Sequence, residues 1–394
     1  VISVAEAVEK VTGLCAPLDS EFVPLRQAAG RVLAKDVAAL RDQPPFAASA
    51  MDGFAVIDAE VAPGAKFRVI GESAAGSGFD GRVKAGETVR IFTGAPLPRG
   101  ADRVIIQEDI SRSGDVITLN ASYDPTAYIR PAGDDFKAGA RLHAPRRLSA
   151  NDVALLASMN IADVPVYRRP VVALVATGDE LVMPGEQPGA DQIIASNGFG
   201  LAALLEQYGA EPRVLPIAKD NPASLKLALR FCEGADLIVT IGGASVGDHD
   251  IVQDVARELG LETAFYKVSM RPGKPLMAGR LIDAAMVGLP GNPVSSMVCG
   301  HVFLRPMLSV MQGFPTGPLS RDLARLGTAL AANGGREHYM RAQLGVEYGQ
   351  LTVHSADRQD SALLTVLTNS NALLVRPPHD PAKSVGDMVE VIRF

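Results

Sequence analysis

What the 394-residue chain lacks narrows its class before any motif is read. It has no uninterrupted apolar run of about 18 or more residues, so no membrane-spanning helix is expected. Its three cysteines, Cys15, Cys232 and Cys299, are odd in number and show no CxxC or other metal-ligand spacing. That argues against a disulfide framework and against a thiolate metal site, and it suits a reducing cytoplasmic setting. Basic residues do not predominate: 38 Lys and Arg stand against 44 Asp and Glu, a formal net charge of −6. A nucleic-acid partner, which normally demands a basic stripe, is not supported, although a local basic patch can still receive a small anion. There is no low-complexity tract and no short internal repeat. The opening "VISVAEAVEKVTG" has the pattern of a helix rather than of a secretory leader.

What is present describes an ordinary globular chain, 47% apolar and 21% charged. Its length predicts two to four domains at about 100–200 residues each. Residues 1–35 are predicted to be helical, with Val4, Ala7, Val8 and Val11 at helical spacing. Pro44-Pro45 forbids helix. From about 54 to 130, short β-like runs such as "ETVRIFTG" and "DRVIIQED" alternate with Gly and Pro, as in a small β domain. "SANDVALLASMNI" returns to helix, with Asn160 where a left-handed C-cap is wanted. From Arg169 strands and helices alternate, and Asn221-Pro222 opens one helix while Gly260 closes another. This predicts a doubly wound, mostly parallel α/β domain whose functional loops lie at the carboxyl ends of its strands. After about Pro315 a short-stranded β tail is expected, barrel-like or a sandwich.

Four loops fall at those strand ends: "TGDEL", "AKDNP", "GGASVGDHD" and "LPGNPVSS". In the third, Gly242-Gly243 permits close approach of backbone amides to phosphate oxygens. Asp248 and Asp250 in the same loop would repel a bare phosphate, but they suit Mg²⁺ bridging carboxylate to phosphate, with Asp220 adding an oxygen. Helix capping is an equally weighted use for these aspartates. His249 is expected to be a solvated loop side chain, since paired carboxylates favour a hard metal over an imidazole site. "YKVSMRPGKP" concentrates Lys267, Arg271 and Lys274 on a loop that its prolines keep from becoming helical, a pattern suited to a tetrahedral oxyanion. Ser295, Ser296 and the amides around Asn292 open a helix whose N-terminus could receive an anion. In the N-terminal half, Asp52-Gly53, Thr93-Gly94 and Arg130 with Asp134-Asp135 are tight turns that, taken singly, need no chemistry.

Taken together and in order, "SAMDGFAV", "IFTGAPLPRGAD", "IRPAGDDFKAG", "ALVATGDEL", "SNGFGLAALLEQYGAE", "TIGGASVGDHD", "RPGKP" and "GLPGNPVSS" resemble the molybdopterin molybdenumtransferases, the molybdenum insertases that include the E domain of gephyrin and its plant counterpart. The resemblance implies a homodimer that takes adenylylated molybdopterin and molybdate, cleaves the pyrophosphate link with Mg²⁺, releases AMP and places molybdenum on the dithiolene. It also implies a division of the chain: 1–40 with 133–168 as a helical and extended dimerisation segment, 41–132 as a small β domain, 169–315 as the α/β molybdopterin-binding domain, and 316–394 as the C-terminal β domain.

By the same resemblance the catalytic set is Asp52, Thr93, Glu180, Asp220, Asp250 and Lys267, with Glu180, Asp220 and Asp250 as metal candidates. Substrate contacts fall on Arg130, Asp135, Gly242, Gly243, Ser245, Arg271, Lys274, Pro290, Asn292, Pro293, Ser295, Arg341 and Ser361. Asp134 stands where the family usually has Glu, and Arg271 where some members have Lys. Other proteins of cofactor assembly are possible partners. A molybdopterin adenylyltransferase would resemble 169–315 alone, without the flanking parts. A scaffold protein on the same fold is the alternative from another class.

Overall fold

The computed structural model describes residues 1–242, 251–317 and 319–394. The chain forms two compact units, one of Val1–Glu21 with Tyr167–Phe394 and one of Phe22–Val166.

In the first unit, strands are ordered Glu211–Val214, Val171–Ala176, Leu237–Ile241, Ala284–Leu289, Met277–Leu281, Leu261–Tyr266. The first three pairings are parallel and the last two antiparallel, so only Met277–Leu281 runs against the rest. The strand alternation separates two cores. Val172, Leu174, Leu237, Val239 and Ile241 face a cluster with Leu201, Leu205, Val294 and Val298. Ala173, Val175 and Ile238 face Leu225, Leu229, Val252 and Val255 on the other side. Local signals set the helix ends. Asn221 caps Pro222–Arg230, its side chain accepting from Ser224 N at 2.9 Å, and Gly260 follows Ile251–Glu258 with φ +98°.

The first helix, Val4–Gly13, starts at a Ser3–Glu6 capping box. Its face of Val4, Ala7 and Val11 is buried in the core shared by the α/β sheet and the C-terminal strands. Helix stops there. The prediction of helix over 1–35 holds only for this part, because Ser20–Pro24 and Val32–Leu33 are strands, and Val37–Ala38 just beyond is a third. β-branched Val23, Val32 and Val37 are each buried in them, and burial outweighs helical spacing.

Pro293–Met311 is long and apolar enough to cross a membrane, yet 83% of its apolar window is buried. It is a core helix of this unit. Ser295, Ser296, His301 and Arg305 interrupt the run, which hid its length from a search for uninterrupted apolar sequence. A wide turn at Gly300–Leu304 places His301 Nδ1 2.6 Å from the Tyr208 hydroxyl.

The C-terminal strands Glu337–Glu347, Gln350–Ser355, Asp322–Leu326, Met388–Arg393 and Ala372–Arg376 pair in that order, and the last returns to the first. The result is a small closed barrel around Leu326, Val353, Leu374 and Val391. Met270–Arg271, expected as loop, adds a short parallel strand beside Glu337–His338.

The second unit carries a six-stranded sheet around Phe54, Phe67, Ile105 and Ile117. A separate cluster of Val23, Leu33, Val37, Leu142, Leu156 and Val166 gathers residues from both ends of this unit. It includes the helix Ala150–Ser158, followed by Asn160 at φ +66° as the sequence predicts. Residues 1–21, grouped with 22–40 on sequence, lie with the first unit.

Candidate functional site

At the carboxyl ends of the parallel strands a cavity of about 560 Å³ is lined by Thr177, Glu180, Asn197, Asp220, Gly242 and Asn292. Four strand ends build it. Thr177 follows the strand Val171–Ala176 and donates its N–H to Ile241 O at 2.9 Å. Asp220 ends the loop after Glu211–Val214, and its N–H reaches Asp179 Oδ1 at 3.3 Å. Asn197 donates to Gly291 O at 2.7 Å, tying the helix Asn197–Gln207 to the turn before Asn292.

Burial, then the charges of Asp179 and Glu180, push the Asp220 carboxyl above its ordinary range. The Thr177 hydroxyl is buried at this crest without a partner among the described residues. Among the described residues no three His, Cys, Asp or Glu side chains are grouped closely enough to hold a metal. Of the three predicted metal candidates, Glu180 and Asp220 share the cavity and Asp250 lies outside the described residues, as do Gly243, Ser245, Asp248 and His249.

Gly242 is glycine for a steric reason. Its φ is +94°, and a Cβ there would stand 2.6 Å from the Thr177 carbonyl oxygen. Gly242→Ala is expected to destabilise the protein by about 2 kcal/mol, read as a lower urea midpoint. It should also weaken nucleotide binding, because the strand end must move to relieve the clash.

A second group lies where the basic loop meets the barrel. Arg271 is in register with His338 across adjacent strands. Gly273, at φ +111°, packs so closely that a Cβ would lie 2.6 Å from Cys299 Sγ, which seats the loop on the helix Pro293–Met311. Val294 N, near the start of that helix, donates to Ser361 O at 3.0 Å, and Arg341 Nη2 donates to Asp360 O at 3.2 Å. Arg271, Arg341, Ser361 and the turn at Asn292-Pro293 thus belong to one neighbourhood.

Arg341 is fully buried, and among the described residues its Nε has no partner. Burial and the Arg271 charge pull its guanidinium down to about 10. Ser295 is buried as well, and the Ser296 hydroxyl is occupied by Pro293 O at 2.9 Å. Pro290 is buried at the end of its strand. Lys267, at φ +76°, holds Nζ 5.0 Å from the Tyr266 ring centre. The carbonyl of Lys274 accepts from Val268 N at 3.0 Å, which folds the loop back on itself.

In the second unit, Asp52 Oδ1 accepts from both the N–H and the hydroxyl of Thr93, each at 2.8 Å. These bonds, with Arg90 beyond them, hold the Asp52 carboxyl below its usual range. Arg130 and Asp135 line a cavity of about 450 Å³ with Pro45, Gly94 and Asp134. Arg130 is carried there by the pairing of Ile129–Arg130 with Ala48–Ser49.

The sequence reading missed Thr177, Asp179 and His338. Asp179 lies inside the quoted "TGDEL" motif, so its type and place were available. A lone Thr at a strand end and a His in a barrel strand carry no local signal; only packing singles them out.

Three sequence families match the chain in succession: the MoeA N-terminal region (domain I and II) over 2–160, the probable molybdopterin binding domain over 173–310, and the MoeA C-terminal region (domain IV) over 323–394. The molybdopterin molybdenumtransferase of Haemophilus influenzae is 34% identical over 383 residues, covering 96% of this chain and 95% of its own. The chain belongs to the molybdopterin molybdenumtransferase family. The relative from Nostoc is 35% identical over 391 residues, 95% of this chain and 89% of its own, and molybdopterin molybdenumtransferase 2 of Mycobacterium tuberculosis is 35% identical over 394 residues, 96% and 95%. The crystal structure of the molybdopterin biosynthesis MoeA protein of Pyrococcus horikoshii superposes with a TM-score of 0.85 at 27% identity, covering 100% of both chains. The expected architecture of the molybdenumtransferase family is therefore present: a β-rich N-terminal part, a molybdopterin-binding α/β domain and a closed C-terminal barrel. The flanking regions match along with the core, which disfavours the adenylyltransferase reading.

Proposed function

We propose that this chain inserts molybdenum from molybdate into adenylylated molybdopterin, cleaving the phosphoanhydride and releasing AMP. The observation that carries this reading is Arg341, a buried guanidinium with an unpartnered Nε beside a second cation, Arg271. Arg341 carries a buried charge beside the exposed Arg271, and a doubly charged tetrahedral oxyanion would neutralise both. Lys274 and the Ser361 loop are the further contacts in this reading. Support for a separate nucleotide–pterin site comes from the crest cavity, open beside Gly242 and the Asn292 turn.

In this reading the crest also takes a divalent ion. The Asp220 carboxyl is lifted by burial and by two neighbouring carboxylates, with no cation offsetting it among the described residues. Glu180, Asp220 and Asp250 would hold Mg²⁺ through oxygen, and the ion would neutralise charge at the phosphoanhydride oxygens. The chain's own part is to orient. Gly242 lets backbone approach the phosphates, and the Asn197–Gly291 bond fixes the turn facing them. The bond from Thr93 keeps Asp52 ionised and aimed, as a proton acceptor or a charge partner. By the family resemblance, Lys267 is the cation that would steady the leaving phosphate oxygen. As the family resemblance implies, the enzyme works as a cytoplasmic homodimer, and its three unpaired cysteines suit that compartment.

Incubation with adenylylated molybdopterin, molybdate and Mg²⁺ should release AMP in step with molybdenum bound to the pterin, read by chromatography and metal analysis. Adenylyl transfer from ATP to molybdopterin in place of AMP release would assign the preceding reaction. Neither activity would leave the scaffold reading.

A further inference from the structure

One side of the crest cavity is apolar. The loop after Thr177 folds into a two-stranded ribbon, Leu181–Val182 beside Ile193–Ile194. Two backbone bonds fix it: Ile193 N donates to Glu180 O at 2.8 Å, and Ala195 N donates to Val182 O at 2.9 Å. Leu181 is in register with Ile193, and residues in register on adjacent strands leave a sheet on one face. Both line the cavity, as does Ala195 two positions further on. Ala195 is buried, whereas Ile193 is 58% exposed. The ribbon is therefore held at its base and bare at its lip. Ile194, exposed as well, borders the same space.

The rest of the lining decides what can lie against that wall. Among the described residues it includes the carboxylates of Glu180 and Asp220 but no Lys, Arg or aromatic side chain. A bare phosphate finds no cation there, and a heterocycle finds no ring to stack on. The apolar contact that a planar ring needs must come from aliphatic side chains, and Ile193 is the most exposed of those in the lining. Sites for organic ligands join such apolar walls to a few polar groups that orient the ligand. We propose that Leu181 and Ile193 form the wall that receives a planar nitrogen heterocycle of the bound substrate while its phosphates face Gly242. Adenine and pterin share this chemistry, and each carries an amino group that a carboxylate can accept from. This inference rests on the crest cavity as the nucleotide–pterin site and adds to it the surface that selects a ring.

Calorimetric titration of the full chain tests it, with three ligands taken separately: AMP, molybdopterin kept anaerobic, and ribose 5-phosphate, which keeps the phosphate and lacks the ring. Ile193→Ser should weaken the ligand whose ring lies on the wall about tenfold, the scale of losing a methylene or two of contact in an apolar pocket. Ribose 5-phosphate should bind wild type and variant alike. Ile193→Leu, which keeps the apolar volume, should bind as wild type does. The thermal midpoint of Ile193→Ser without ligand should match wild type, since the side chain is exposed. Loss with AMP alone places adenine on the wall, and loss with molybdopterin alone places the pterin there. Unchanged affinity for both overturns the proposal. So does a loss that extends equally to ribose 5-phosphate, or one equally large in Ile193→Leu, since either would mean that the ribbon acts through its fold. Wild-type protein that releases AMP from adenylylated molybdopterin, with Ile193→Ser binding both ring-bearing ligands undiminished, refutes the wall and leaves the function standing. Wild-type protein that binds neither of them and releases no AMP refutes the functional reading itself.

Discussion

Arg341→Met is expected to abolish molybdate binding without unfolding the protein. The affinity should fall about 100-fold or more, since one or two charge-assisted hydrogen bonds at roughly 1.5–3 kcal/mol each disappear. Calorimetry would read this directly. Stability should move the other way. Arg341 is wholly buried, its Nε is unmatched, and its other bonds reach only the Tyr339 and Asp360 carbonyls, at 3.4 and 3.2 Å. Methionine has similar length and no charge, and apolar replacement of a poorly compensated buried ion is commonly neutral or stabilising.

The sign follows from linkage. The guanidinium titrates lower in the folded chain, at about 10, than its ordinary value, so folding is penalised wherever it is protonated. That penalty is fully present at neutral pH and fades as pH rises through about 10. The gain in thermal midpoint for Arg341→Met should therefore be largest near neutrality and shrink in strong alkali. Molybdate should raise the wild-type midpoint by mass action and leave the variant's unchanged. A variant that melts well below wild type would mean the guanidinium is structural.

Asp220→Asn should separate stability from turnover at the other cavity. The carboxylate is exposed at the crest beside two like charges, Asp179 and Glu180, and removing its charge relieves that repulsion. The thermal midpoint without Mg²⁺ should rise. AMP release should drop about 100-fold, the usual scale for losing one contact that stabilises transition-state charge. Mg²⁺ should raise the midpoint of the wild-type protein more than that of the variant. An unchanged rate of AMP release would remove Asp220 from the chemistry. Strain held at a working site and offset elsewhere is the general pattern this result would express.

Much of the α/β unit was legible because its signals are local. Asn221-Pro222 caps a helix and Gly260 ends another, each as its residue type dictates, and in the second unit Asn160 takes the left-handed conformation for the same reason. The helix Val4–Gly13 was legible for the same reason, but its continuation to 35 was not. Val23 and Leu33 lie in short strands there, and only distant partners such as Leu142 and Val166 decide for strand. The Pro293–Met311 helix escaped a search for unbroken apolar sequence because polar residues punctuate it, though its buried share shows how apolar its surroundings are.

Within the sites the same division holds. Glu180, Asp220 and Gly242 sit in strand-end loops, where topology alone predicts function, and they share one cavity. Arg271 and Lys274 advertised themselves as a charge cluster. Arg341 was named only through family resemblance, and His338 not at all. Both lie in a barrel strand, and their meaning depends on which strand pairs beside them.

The placement of the first helix has a consequence for how the chain comes together. Val4, Ala7 and Val11 complete a core whose other walls are made after residue 167, so the segment 22–166 is an excursion that leaves this unit and returns to it. The entropy of closing so long a loop grows only logarithmically, so the finished fold tolerates it. The timing is less forgiving. During synthesis the helix must wait, with its apolar face uncovered, while the whole second unit is made. An isolated fragment beginning at Tyr167 would carry the mirror of that problem, a bare hydrophobic strip along Val302, Leu308 and Met311 where the missing helix belongs.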